Sequence, residues 1–110
     1  MSDGIIDQTV FDDLKDTAGA DFAAELVETF LEEAPGMIAE LRAAAEGGDA
    51  DAFRRAAHSL KSNANVFGAS NLAEKARDLE LSGLDKAADV DALVATYDKS
   101  ASALKALIDG

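Results

Sequence analysis

Apolar residues recur at three- and four-residue spacing along nearly the whole chain, interrupted only by short marks: Ala18-Gly19, Pro35-Gly36, Gly47-Gly48-Asp49, FGAS at 67–70 and SGLD at 82–85. That spacing places apolar side chains on one face of a helix, and the marks separate one helix from the next. A short first helix is expected over residues 7–16, with Val10, Phe11 and Leu14 on one side. A second starts near Ala20, with Phe22, Leu26 and Phe30 recurring every four residues. Pro35 lacks a backbone N–H and disfavours helical geometry at the residue before it, so it either opens a new helix or kinks a long one. Met37, Ile38, Leu41 and Ala45 continue the stripe to the Gly47-Gly48 stop.

Asp49 or Asp51 can cap the following helix, which runs to about Phe67 and ends at Gly68. Ser70 or Asn71 can cap the next, whose stripe is Leu72, Ala76 and Leu79, with Gly83 at its end. A last helix from about Asp89 carries Val90, Leu93, Val94, Tyr97, Ala101, Leu104 and Ile108. Connections this short make successive helices antiparallel. The expected fold is all-α, an up-and-down four-helix bundle with one or two additional N-terminal helices.

Composition agrees with that pattern. The 110 residues suit one domain over 1–110, and an apolar fraction rich in Ala, with five Phe, one Tyr, no Trp and a single Pro, suits close-packed helices. The 22 acidic against 10 basic side chains give a net charge of −12, which repels nucleic acid and anionic membranes over most of the surface. There is no Cys, hence no disulfide or thiolate chemistry, and MSDGIIDQ has neither the charged nor the apolar region of a signal peptide. No apolar run approaches the ~20 residues of a membrane span. A soluble cytoplasmic protein is expected, and the absence of an obvious dimer helix suggests a monomer.

The only histidine, His58, lies in AHSLKSNANVFGA, residues 57–69. At about 100° per residue, Phe53, Ala57, Leu60, Ala64 and Phe67 fall within about 40° of one direction, the core face, whereas His58 lies roughly 140° away. Arg54, Lys61, Ser62 and Asn65 surround it at helical spacing. An ordinary solvated side chain would sit in the same place, but two features argue for more. Arg54, Arg55 and Lys61 fall within eight residues that contain no acid, a cationic spot suited to a phosphoryl group. Ser59, Ser62, Ala64 and Gly68 are small, so another protein can approach closely.

An imidazole open to water near neutral pH holds a nucleophilic free-base fraction, and a neighbouring Lys61 favours that form. Acyl transfer would need a Ser or Cys nucleophile, an orienting carboxylate and an oxyanion hole, which the pattern does not supply. A di-iron bundle needs two Glu-x-x-His pairs, whereas Arg55 precedes His58 at that spacing; zinc lacks ligands, and no phosphate-binding glycine loop is present. Covalent use of His58 as a carrier remains, because phosphoryl transfer depends chiefly on positioning and charge, which a partner protein can provide.

His58-Ser59-Leu60-Lys61-Ser62 followed by Phe67-Gly68-Ala69 resembles the H-x-L-K-G signature, with its later Gly-Ala pair, of the histidine-containing phosphotransfer (HPt) domains of two-component phosphorelays. The similarity extends over nearly the whole chain through Leu31-Glu32-Glu33-Ala34-Pro35, Gly48-Asp49 and Leu79-Glu80. The resemblance implies that His58 is the phosphorylated residue, on its outward ring nitrogen, and that Lys61 contacts the phosphoryl oxygens. Arg54, Ser62 and Asn65 would support the site, with Ser62 standing where the family usually has Gly, and Gly68 would leave room for a docking receiver domain. It further implies a sensor or hybrid histidine kinase and a response-regulator receiver as partners. The domain would have no ATP-using activity and no cofactor of its own, Mg²⁺ being held by the receiver.

Exposed apolar residues of the early helices would complete the docking surface, with Phe11 and Leu14 as candidates; they could equally form a flap closing one end of the bundle. The competing function is an unphosphorylated adaptor or inhibitor of the same fold, for which an open His58 and Lys61 pair has no chemical use.

Overall fold

The computed structural model describes residues 6–109, apart from the side chains of residues 86–88 and 109; residues 1–5 of the N-terminal segment read above lie outside them. Five α-helices follow one another: α1 (Gln8–Ala18), α2 (Ala20–Gly47), α3 (Ala50–Val66), α4 (Ser70–Ser82) and α5 (Val90–Asp109), with a 3₁₀ segment, Gly83–Asp89, before the last. Among the described residues there is no strand. Helices α2 to α5 form the antiparallel bundle, each packed on its chain neighbour and α5 closing the ring against α2, while α1 lies across α2 and α3.

Pro35 does not divide α2, which continues through it for 28 residues. A helix of that length spans about 42 Å, and the longest dimension of the molecule is 41 Å. Pro35 faces water, and the two halves of α2 bury one continuous face: Ala23, Val27 and Phe30 before it, Ala34, Ile38, Leu41 and Ala44 around and after it. Packing on both sides offsets the one lost hydrogen bond. That face differs from the stripe expected at the start of the helix. A strict four-residue repeat drifts by about 40° per step, so Phe22 lies some 80° from Phe30; it is exposed and Ala23 takes the inward position.

Local sequence closes the turns. The Asp49 carboxylate accepts from the Ala52 N–H at 3.1 Å, as one of the two expected caps, and Gly48 ends α2 in the left-handed region at φ 69°. The expected Ser70 or Asn71 cap does not form. The N-cap of α4 is Ala69, fully buried, and the Ser70 hydroxyl donates instead to the Gly68 carbonyl at 3.4 Å. Here the path of the chain follows from what Ala69 buries rather than from a capping side chain.

One core joins all five helices, and an aromatic group crosses its centre. Phe30 of α2 stacks at 5.3 Å on Phe67, at the end of α3, and meets Tyr97 of α5 edge-on at 6.1 Å. At the same end, the Asp7 N–H donates to the Gly68 carbonyl at 2.6 Å, which seats α1 on the α3–α4 turn. Gly68 is buried at φ +73°, and a Cβ there would stand 2.7 Å from the Asp7 carbonyl oxygen and 3.0 Å from the Val10 Cβ. The buried hydroxyl of Ser100, in the inward row Leu93, Tyr97, Leu104, has no hydrogen-bond partner among the described residues, and nothing in the structure explains a hydroxyl at that place.

Two stability measurements check this packing. Gly68→Ala, which must both enter the left-handed region and displace α1, costs about 2 kcal/mol or more in urea unfolding. Gly48→Ala, at φ +69° with open space around it, costs only about 1 kcal/mol. Equal losses would mean that α1 does not press on Gly68. Ser100→Ala removes a hydroxyl desolvated without compensation and raises stability by about 1 kcal/mol, seen as a higher urea midpoint at unchanged slope; a lower midpoint would show the hydroxyl to be paired.

Candidate functional site

Helix α3 turns Phe53, Ala57, Leu60 and Ala64 inward, as the helical wheel requires, and Phe67 caps it in the core. His58 is left on the surface with 58% of its side chain exposed. What the wheel does not show is the neighbour. Because α3 and α4 run antiparallel, Glu80 of α4 comes beside two successive turns of α3, and its carboxylate takes one donor from each.

Oε2 of Glu80 stands 2.9 Å from Nδ1 of His58, and Oε1 accepts from Nζ of Lys61 at 2.6 Å. The Lys61 bond is the main reason that the Glu80 carboxyl titrates below the usual carboxylate value; burial acts the other way, and the His58 bond and the charges of both partners lower it further. Glu80 is therefore ionised at neutral pH and can only accept. A bond from Nδ1 to an ionised carboxylate requires the proton on Nδ1, so the neutral form of the ring carries its lone pair on Nε2. Only 18% of the Glu80 side chain and 25% of that of Lys61 are exposed, so a largely buried ion pair orients a largely exposed imidazole. The same division of labour, with a carboxylate fixing tautomer and ring while the far nitrogen reacts, serves hydrolase and metal-site histidines.

The remaining sequence candidates are placed less closely around His58. Arg54 is not a free cation beside the ring, since its guanidinium bonds Asp51 one turn earlier at 2.7 Å. Lys61 is likewise paired, so two of the cations expected to form an open positive spot are each matched by a carboxylate. Ser62 and Asn65 are exposed on the same face. Gly68 leaves no room for a partner, because α1 fills the space beside it. Phe11 is fully buried in the core and offers no docking surface; Leu14, half-buried against that core, keeps an exposed part. For Phe11 the flap reading holds.

Glu80 is the residue that the helical reading of the chain missed as part of the site. In the sequence it stands out only as half of the Leu79-Glu80 pair. A usable signal was present: on the α4 wheel Glu80 lies within about 40° of Ala76, on the flank of the buried stripe, where an acid needs a partner. Among the described residues no group of three or more His, Asp or Glu side chains converges to hold a metal ion, and no helix is long and apolar enough to cross a membrane.

Residues 25–110 match the family described as Hpt domain. Among solved structures, the chain is similar to the crystal structure of histidine-containing phosphotransfer protein B (HptB) from Pseudomonas aeruginosa PAO1, with 27% identity and a TM-score of 0.78 over 98% of this chain and 94% of that one. No curated protein matches the chain.

The shared carboxylate has a measurable signature. A carboxyl held below its ordinary value stabilises the folded state above the usual value of 4.5, and that contribution is lost as the pH falls through the depressed value. In a ¹³C-detected titration the Glu80 side-chain carboxyl has its midpoint below the ordinary value of 4.5, and Lys61→Met moves it upward. A Glu80 midpoint at or above 4.5 would show that the ion pair does not form in solution.

Proposed function

The chain belongs to the Hpt domain family, the histidine phosphotransfer carriers of phosphorelays, which interact with histidine kinases and receiver domains, and we propose that His58 is its phosphoryl acceptor through Nε2. The observation that supports this most is the 2.9 Å contact between Nδ1 and an ionised Glu80, which in the neutral ring leaves the lone pair on Nε2 of a largely exposed side chain.

The reaction follows from that geometry. Nε2 attacks the phosphorus of a receiver aspartyl phosphate, an N–P bond forms, the P–O bond to the aspartate breaks, and the aspartate leaves as a carboxylate. No proton has to depart, because the positive charge arising on the ring is met by Glu80 across the Nδ1–H bond. Lys61 holds Glu80 with one N–H and has two more to offer to phosphoryl oxygens. Run backwards, the same step returns the group to a receiver. A partner supplies the electrophile and the Mg²⁺, so a single copy of this chain needs no cofactor of its own. Ser62 and Asn65, exposed one and two turns further along α3, and the exposed part of Leu14 on α1 belong to the surface that the partner covers.

Incubation with a ³²P-labelled phospho-receiver tests the assignment. The wild-type chain takes up label that is lost in acid and retained in alkali, and His58→Gln, a substitution at an exposed side chain, takes up none. Label persisting in His58→Gln would move the acceptor elsewhere. Binding to a receiver without uptake from any of a broad panel would instead support an unphosphorylated adaptor.

A further inference from the structure

A cleft of about 210 Å³ opens beside Lys61, between α3 and α4, lined by Lys61, Asn65, Ser70, Ala73, Glu74 and Arg77. On α4, Ala73, Arg77 and Glu80 follow one another at spacings of four and three, so all three lie along the side that meets α3. Glu80 is occupied by His58 and Lys61, as described above. Arg77 is exposed and, among the described residues, has no ion pair, although Glu74 lines the same cleft three residues earlier. Its position contrasts with the other cations near His58: Arg54 is bound to Asp51 and Lys61 to Glu80, while Arg55 lines a separate groove between α2 and α3.

The cleft is continuous with the transfer site. Lys61, on its edge, is one turn or about 4.5 Å along α3 from His58, and Asn65 about 10 Å. A protein interface of standard size covers roughly 800 Å² of each partner, a footprint roughly 30 Å across. Any receiver that brings its aspartate to Nε2 of His58 therefore covers this cleft as well. Inside it are the Arg77 guanidinium, an amide and a hydroxyl against the Glu74 carboxylate, with the Lys61 ammonium at its edge already paired with Glu80, on a chain whose net charge is −12. Most of the surface repels an acidic approach, and this spot accepts one.

We infer that Arg77 is a specificity-determining docking residue, receiving an aspartate or glutamate side chain of the receiver in the α3–α4 cleft while the receiver's reacting aspartate meets His58. The inference rests on His58 being the transfer residue. A planar guanidinium with paired donors suits a carboxylate in a way that the Lys61 ammonium, already bound, does not. A cation at the rim of an interface acts chiefly on encounter and on orientation.

Two phosphoryl donors separate docking from chemistry. Phosphoramidate is a small donor that needs no docked protein. Arg77→Glu takes up phosphate from it at the wild-type rate. With a receiver that exchanges phosphate with the wild-type chain, Arg77→Glu has a KM raised roughly tenfold or more and a kcat within about twofold. Added salt raises the wild-type KM more steeply than that of the variant. Arg77→Lys recovers most of the loss, and substituting the opposed acid of the receiver by lysine restores Arg77→Glu. A KM for Arg77→Glu within about twofold of wild type overturns the proposal, as does slowed uptake from phosphoramidate, which would place Arg77 in the chemistry of His58. If phosphoramidate does not label His58, or no receiver exchanges with the wild type, the transfer reading itself fails and the docking role with it.

Discussion

One carboxylate shared by two donors sets the geometry of the site. Glu80 can meet both Nδ1 of His58 and Nζ of Lys61 only if α3 and α4 are close together and in one register, because the two donors come from successive turns of α3. Sliding α4 by one residue would move its side chains by about 1.5 Å along the axis and 100° around it, enough to lose both bonds. The core packing of α3 and α4, through Leu60 and Ala64 on one side and Leu72, Ala76 and Leu79 on the other, thus maintains the tautomer of a surface histidine.

A gradient of burial runs through the site from Glu80 and Lys61 to His58. Glu80 and Lys61 are mostly covered, and the imidazole is mostly exposed. Partial burial strengthens the ion pair, which would be worth little in open water, while exposure keeps Nε2 within reach of another protein. If His58 is the acceptor, as proposed, such a bundle contributes to group transfer by orienting one nitrogen and neutralising one developing charge. The far end of α3 is held separately, by Phe30 and Tyr97 meeting around Phe67 and by α1 seated on Gly68. The backbone bearing His58 is thereby fixed at both ends of the connection to α4.

Much of this was legible in the chain itself. The order of helices, the stop signals at Gly48 and Gly83, the Asp49 cap and the outward direction of His58 follow from short-range rules, and each holds in the structure. The misreadings have one origin, the difference between a pattern on one helix and a contact between two. A repeat of four residues put Phe22 in one stripe with Leu26 and Phe30, although it drifts away from the buried face. Phe11 looked available because nothing in its own helix covers it, whereas α2 and α3 do. Gly68 suggested open space for a partner, and the space is occupied by α1. Arg54 and Lys61 suggested free positive charge, and each has a carboxylate within 3 Å.

The sequence by itself determined that this is a helical bundle with one outward histidine in a lysine-bearing signature, because the period of apolar residues, caps and helix stops acts over a few residues and needs no partner helix. Only the tertiary structure decided which of the acids of α4 meets that histidine, which ring nitrogen faces that acid, and which nearby cations remain unpaired. Those outcomes depend on the register between helices, and register is set by the summed fit of many core side chains rather than by any local motif.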